Sequence, residues 1–176
     1  MVYLCRNLSL QLALFALLLI FVGCSTLPAA APTPLTEEPI PAADFSLPDL
    51  EGHTVTLSDV QGRWVLVNFW AIWCQPCLAE MPFLQSLNER YGDQLTVLAI
   101  NMREPESEVQ AFIAENNLQL LVLLQPASDT LLAYNVQGLP RTFVISPAGN
   151  IVRQQFGPLD PTEFEAWLVA EMTNDK

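Results

Sequence analysis

Two cysteines separated by two residues give this chain its clearest chemical signal. Cys74 and Cys77 follow the apolar run 65–70 and precede a helical pattern that runs from Leu78 to Arg90. A C-x-x-C pair where a strand feeds a helix is the sequence form of a dithiol/disulfide redox site. The free N–H groups and the dipole at a helix N-terminus lower the pKa of a thiol, so its thiolate attacks disulfides near neutral pH. We predict a redox-active disulfide, with Cys74 as the attacking thiolate and Cys77 as the resolving thiol.

Other uses of a C-x-x-C pair fit the rest of the chain less well. A tetrahedral zinc site needs about two further ligands, and the remaining cysteines and histidines are only Cys5, Cys24 and His53. A purely structural disulfide across so short a loop would constrain the unfolded chain little. A copper chaperone that uses both cysteines as soft ligands is an alternative, although no Met or His pattern supplies a third ligand. We predict neither a resident metal nor a cofactor.

The first 23 residues predict a signal peptide. Leu8–Val22 is almost continuously apolar, and Arg6 is the only charged side chain before Cys24. The length is typical of a signal-peptide core and short for a bilayer span. Residues 21–24, Phe-Val-Gly-Cys, resemble the lipobox of bacterial lipoproteins, which predicts lipidation of Cys24. The alternative is an uncleaved N-terminal anchor, and both place the rest of the chain outside the cytoplasm and tethered to a membrane.

Composition divides the remainder into a linker, one domain and a short tail. Residues 24–43 contain five prolines among Ala and Thr, which predicts an extended linker. Residues 44–172 are long enough for one domain with a proper core, and residues 173–176 form the tail. The net charge of −12 argues against nucleic acid as a partner.

The domain alternates strand and helix patterns. Turn residues at 49–52 separate two short alternating segments, which predicts a hairpin. The segments that follow are predicted, in order, as strand 64–70, helix 75–90, strand 95–100, helix 106–116, strand 119–124, helix 128–134, strands 141–146 and 151–156, and a helix to about 172. This order implies an α/β domain with a mixed sheet covered on both faces.

Several motifs resemble the thioredoxin fold. Residues 68–77, Asn-Phe-Trp-Ala-Ile-Trp-Cys-Gln-Pro-Cys, resemble the active-site strand and turn of thioredoxins. Pro82 matches the kinked active-site helix, and residues 138–143, Gly-Leu-Pro-Arg-Thr-Phe, resemble the segment that carries a cis-proline. The hairpin, an insertion at 105–134 and the Cys-x-x-Glu-Met-Pro sequence at 77–82 are similar to membrane-anchored, extracytoplasmic thioredoxins of the TlpA and ResA type.

The likeness covers about residues 42–172 and lies within the wider redoxin, or AhpC/TSA-like, group. It implies a thioredoxin-like fold: a mixed central sheet flanked by helices, with an N-terminal β-hairpin and a central insertion. It also implies a cis peptide bond before Pro140, whose backbone edge would pair with an extended substrate segment. Leu139, Trp73 and Pro76 are predicted to contact substrate, and a partly buried packing role is the alternative for Trp73.

One position departs from cytoplasmic thioredoxin. Asn68 stands where that protein has a buried aspartate, and an asparagine cannot take a proton. Glu80 lies one turn after Cys77 on the same helix face, so it is the predicted acceptor of the Cys77 proton. The acids from Glu104 to Glu108 are interpreted as a solvated helix start, and His53 as a surface residue.

These observations predict a thiol-disulfide oxidoreductase that reduces protein disulfides outside the cytoplasm. The resemblance implies that the Gln-Pro pair between the cysteines favours the reducing direction. The resemblance implies a transmembrane electron donor, and its commonest task, cytochrome c maturation, makes apocytochrome c or its maturation factors candidate substrates. A thiol peroxidase of the redoxin group is a further alternative, although a peroxidatic cysteine normally lies in a different local context from the Trp-Cys-x-x-Cys sequence found here.

Overall fold

The computed structural model describes residues 39–174. In chain order its elements are β1 (Ile40–Pro41), β2 (Ser46–Pro48), β3 (Thr54–Thr56), a 3-10 helix (Leu57–Val60), β4 (Trp64–Trp70), α1 (Gln75–Tyr91), β5 (Leu95–Asn101), α2 (Glu106–Glu115), β6 (Leu121–Leu123), α3 (Ser128–Ala133), β7 (Arg141–Ile145), β8 (Asn150–Phe156) and α4 (Pro161–Asn174). Within this range the helices are too short or too polar to cross a membrane.

A six-stranded mixed sheet, in the order β1-β8-β7-β4-β5-β6, forms the centre of the domain. Every residue of β4 is buried, which explains why its sequence is apolar at every position except Asn68 rather than alternating. β4 runs parallel to β5 and antiparallel to β7. In an antiparallel pair, the end of one strand lies beside the start of the other. The segment after Trp70 and the segment before Arg141 therefore meet at one end of the sheet.

Side chains on the two faces of the sheet enter two different apolar clusters. Leu66 and Trp70 face a cluster that contains the buried apolar residues of α1 and α4. Val67 and Phe69 face a second cluster that contains residues of the β2–β3 hairpin and Tyr134. Alternation along a strand produces this division. The predicted class, a mixed sheet covered on both faces with an N-terminal hairpin, is confirmed.

Two secondary-structure elements extend beyond the predicted limits of the domain. Ile40 and Pro41, assigned to the linker, pair antiparallel with Ile151 and Asn150 on the edge strand β8. α4 extends to Asn174, inside the predicted tail. Proline composition alone could not reveal the pairing, since its partner strand lies more than a hundred residues further along the chain. The predicted leader, the predicted lipidation site Cys24 and most of the linker lie outside the described residues.

Candidate active site

The two cysteines of the motif occupy the first turn of α1 and are joined by a disulfide, with their Cα atoms 5.2 Å apart. Cys74 is the extended N-cap residue, and its Sγ accepts a hydrogen bond from the Cys77 N–H at 3.3 Å. Pro76 fits the first turn because a helix start has no acceptor for its missing N–H. Cys74 remains 5% exposed while Cys77 is fully enclosed. The geometry therefore gives an incoming group access to Cys74 first.

Pro140 approaches the same end of the sheet from β7. The Leu139–Pro140 peptide bond is cis, as the resemblance implied. Pro140 is buried and its carbonyl oxygen accepts from the Gly157 N–H at 3.0 Å, while Leu139 is half-buried. Trp73 is 69% exposed. The structure thus places exposed and half-buried apolar groups on the two segments that meet here.

Glu80 lies in the buried interior next to this end of the sheet, although it is a charged residue type. Its Oε1 accepts from Asn68 Nδ2 at 2.8 Å, and its Oε2 accepts from the Leu159 N–H at 3.1 Å. Asn68 Nδ2 also donates to Thr142 Oγ1 at 3.0 Å. Burial raises the pKa of Glu80, and the two hydrogen bonds to the carboxylate only partly oppose it. Such a carboxyl group can gain and lose a proton nearer to neutral pH than an ordinary glutamate.

The prediction that Glu104 is a solvated helix-start acid is wrong. Its Oε2 accepts from the Ile72 N–H at 2.7 Å and from Asn101 Nδ2 at 2.8 Å. Ile72 precedes Cys74 by two residues, so this carboxylate anchors the turn that leads into the disulfide. A signal was present: Asn101 ends β5, and the ends of the parallel strands β4 and β5 lie side by side.

Arg141 is a second residue that sequence reasoning missed. It is 1% exposed, and its guanidinium carbon lies 3.3 Å from the centre of the Phe156 ring and 4.4 Å from that of Phe143. Its Nη2 donates to Gln154 Oε1 at 2.8 Å. Burial lowers the pKa of this guanidinium. The Arg-x-Phe alternation along β7 was the available signal, since it places both side chains on one face of the strand.

One group of side chains in the described range could hold a metal ion. Asp49, Glu51 and His53 offer ligand atoms within 4.8 Å of one another in the β2–β3 turn. Asp49 Oδ1 already accepts from the N–H groups of Glu51 and His53, at 2.9 and 2.8 Å, which closes the turn. His53 is exposed, as predicted. Closure of the β2–β3 turn by Asp49 is therefore enough to explain why these three side chains lie together.

Known proteins that are similar to this chain include thiol-disulfide oxidoreductases, in agreement with the geometry of the disulfide. The thiol-disulfide oxidoreductase ResA of Geobacillus kaustophilus (strain HTA426) is 38% identical over 128 residues, which cover 72% of this chain and 74% of that protein. A crystal structure from Chlorobium tepidum, described as a thiol:disulfide interchange protein DsbE, is 30% identical with a TM-score of 0.71 and covers 76% of this chain and 96% of that one.

A third similar protein is the pneumococcal exposed lipoprotein thioredoxin Etrx1 from Streptococcus pneumoniae strain TIGR4. It is 28% identical with a TM-score of 0.66, and the match covers 73% of this chain and 99% of that one. Residues 40–154 match the AhpC/TSA family. The chain therefore belongs to the AhpC/TSA family, and with its thioredoxin-like fold and its Cys74–Cys77 disulfide it is a thiol-disulfide oxidoreductase.

Proposed function

We propose that this protein is tethered to the outer face of a membrane and reduces the disulfides of other proteins. The observation that carries the proposed reaction is the arrangement along α1: a slightly exposed Cys74 at the helix start, an enclosed Cys77 one turn later, and a buried carboxyl group one turn further. This order supplies an attacking thiolate, a resolving thiol and a proton acceptor.

In the first step the Cys74 thiolate attacks one sulfur of the substrate disulfide. The substrate S–S bond breaks, a mixed disulfide forms between Cys74 and the substrate, and the other substrate sulfur leaves as a thiolate. The free N–H groups at the start of α1 stabilise the Cys74 thiolate beforehand.

In the second step Cys77 releases the substrate. Its thiol loses a proton to Glu80, the resulting thiolate attacks the Cys74 sulfur, and the second substrate sulfur leaves as a thiolate. Two electrons have then passed from the Cys74–Cys77 dithiol to the substrate. A dithiol donor must return them for the next cycle, and we assign this role to a transmembrane electron donor.

Substrate contact is assigned to the groups around the disulfide. Trp73 and Pro76 are exposed beside Cys74, and the Leu139–Pro140 segment lies at the same end of the sheet. An extended substrate segment would pair with the backbone of this segment while Trp73 covers its side chains. Apocytochrome c and its maturation factors are candidate substrates because they present disulfides outside the cytoplasm.

The proposed tether is a lipid on Cys24. Its support is the lipobox-like sequence at 21–24 together with the similarity to the pneumococcal protein Etrx1, an exposed lipoprotein. Mass spectrometry of protein extracted from membranes should show a chain that starts at diacylated Cys24. A chain that still starts at Met1 would instead indicate an uncleaved anchor.

Two serine variants test the assigned cysteine roles. Cys74→Ser should abolish reduction of insulin disulfides. Cys77→Ser should accumulate mixed disulfides through Cys74, because the resolving attack is lost. Faster alkylation of Cys77 than of Cys74 in the reduced protein would reverse the assignment.

The direction of the reaction is tested by the reduction potential of the Cys74–Cys77 couple. A value near about −250 mV or below fits a reductant, and one near about −120 mV fits an oxidant. Stoichiometric copper binding by the reduced protein, or rapid consumption of peroxide, would favour a chaperone or a peroxidase over the proposed reductase.

A further inference from the structure

The side-chain amide of Asn68 has an unbalanced set of hydrogen bonds. Its Nδ2 donates to Glu80 Oε1 at 2.8 Å and to Thr142 Oγ1 at 3.0 Å, so both N–H groups are used. Its Oδ1 is buried and accepts no hydrogen bond from any residue in the described part of the chain. A buried carbonyl oxygen without a donor destabilises a fold, so a site that contains one invites a functional explanation.

The hydrogen bonds that Glu80 accepts in the present orientation of the amide match its ionised form. Both carboxylate oxygens accept hydrogen bonds, from Asn68 Nδ2 and from the Leu159 N–H. A proton added to Oε1 would point a donor at the Asn68 donor. A proton added to Oε2 would meet the Leu159 N–H, which is part of the backbone and cannot reverse. The conflict at Oε1 is therefore the one that a side chain can relieve.

Half a turn of the Asn68 amide relieves it. The amide oxygen and nitrogen have nearly the same shape, so the turn exchanges a donor for an acceptor without moving the strand. Oδ1 would then accept from the new O–H of Glu80. The Thr142 hydroxyl both donates and accepts, so it can follow either orientation.

We propose that the Asn68 amide turns over whenever Glu80 gains or loses a proton, which makes Asn68 the positioning residue for a buried proton acceptor. The inference rests on the proposed role of Glu80. In the proton transfer, the S–H bond of Cys77 breaks and an O–H bond forms at Glu80 Oε1, with no change in electron count. The amide turn keeps every polar contact of Glu80 matched before and after the transfer.

In the described residues 39–174, few other titratable side chains lie beside Asn68 and Glu80. Cys77 is the titratable neighbour on α1, and β5 places the apolar Ala99 beside Asn68. The buried residues of α4 are Phe164, Leu168 and Met172, which are apolar. Arg141 adjoins Thr142 along β7 but stacks on Phe143 on the opposite face of the sheet.

Nuclear magnetic resonance on the reduced full-length protein in detergent tests the rotation of the Asn68 side-chain amide directly. The Asn68 side-chain amide signals should shift with pH at the same midpoint as the Glu80 δ-carbon. The contact between the Asn68 amide hydrogens and the Thr142 side chain should weaken below that midpoint. Amide signals that stay constant through the titration of Glu80 would overturn the proposal.

Glu80→Gln provides a matched variant that imitates the protonated acid. Its oxygen can accept from the Leu159 N–H while its amide group donates to Asn68 Oδ1. The Asn68 signals should therefore lie at their low-pH position at every pH. Signals at the high-pH position would contradict the proposal, whereas the rate of disulfide exchange in the same variant separately tests the role of Glu80 in catalysis.

Removing the amide gives a second test. Asn68→Leu deletes a donor to the carboxylate, so the Glu80 midpoint should rise by about one pH unit. Thr142→Val is the control, since it keeps the Asn68–Glu80 bond and should move the midpoint less. If Asn68→Leu does not fold, Asn68→Asp keeps the shape and should give two coupled titration steps. An unchanged Glu80 midpoint in the folded variant would refute the positioning role.

Discussion

Two carboxylates that the protein largely encloses show opposite pKa shifts. Burial acts to raise the pKa of Asp49 in the β2–β3 turn, but hydrogen bonds from His53 and Glu51 outweigh it, and the pKa is lowered. Burial also raises the pKa of Glu80, where bonds from Leu159 and Asn68 do not outweigh it. Enclosure alone therefore does not decide the charge state of a buried acid.

The difference lies in where the donors come from. The donors to Asp49 are the N–H groups and ring of a tight turn within four residues of it, so the fold of the turn keeps them in place. The donors to Glu80 come from β4 and from the segment before α4, and one of them is a side-chain amide. A fixed ionised acceptor suits a turn, and an acid with adaptable partners suits proton exchange.

The largest expected effect comes from exchanging each acid for its amide and measuring catalysis. Glu80→Gln should slow disulfide exchange at neutral pH by about 100-fold, the lower range of general acid–base contributions. Asp49→Asn should change the rate by less than about twofold, because it lies outside the catalytic groups. Rapid-mixing measurements with an oxidised substrate protein give both rates, and similar slowing in the two variants would remove the functional contrast.

The second-largest expected effect is on the pH dependence of stability, in which Glu80 should differ from Asp49. Its folded-state pKa lies above the ordinary glutamate value of 4.5, so between these two values the folded state binds more protons than the unfolded state. The free energy of unfolding should therefore fall as pH rises through that window. Glu80→Gln should lack this fall in urea unfolding measured at several pH values, and an identical pH slope in both proteins would contradict the raised pKa.

Asp49 should show the opposite sign. Its folded-state pKa lies below the ordinary value of 3.8, so its contribution to stability is present above that value and is lost as pH falls through the folded-state pKa. Asp49→Asn should be less stable than the parent at neutral pH, and the difference should shrink in acid. Thermal unfolding from neutral pH to about pH 3 measures this; a difference that grows in acid would be the wrong sign.

Glu104 gives the smallest expected effect. Glu104→Ala leaves the Ile72 N–H without its acceptor and should lower the free energy of unfolding by about 1–2 kcal/mol. Glu104→Gln keeps an oxygen acceptor and should lose less than half of that. Urea unfolding gives both values, and equal losses would show that charge rather than the hydrogen bond carries the effect.

Much of the fold could be predicted because its signals are local. The buried run of β4, the turn residues of the hairpins and the apolar stripes of the helices each report a nearby environment. The element bounds agree within a few residues, for example the predicted helix 75–90 against Gln75–Tyr91. β1 was assigned to the linker because two residues that pair with a distant edge strand carry no periodic pattern.

The site was predictable in part for the same reason. Cys74, Cys77 and Glu80 lie within the first two turns of one helix. Their spacing alone therefore predicted an attacking thiolate, a resolving thiol and a proton acceptor close to one another. Glu104 and Arg141 were missed because their surroundings come from other strands. A charged residue usually lies at the surface, and its flanking sequence does not show that another segment of the chain will enclose it.

Local sequence patterns were enough to define the redox motif, the order of strands and helices, and the spacing of the groups along α1. Tertiary structure was needed to set the partners of Glu80, which are contributed by β4 and by the segment before α4. It also decided that Thr142 is the second partner of Asn68. Spacing along one helix depends on a fixed rise per residue. Contacts between segments depend on how the strands pair and how the helices pack on the sheet, which no local pattern encodes.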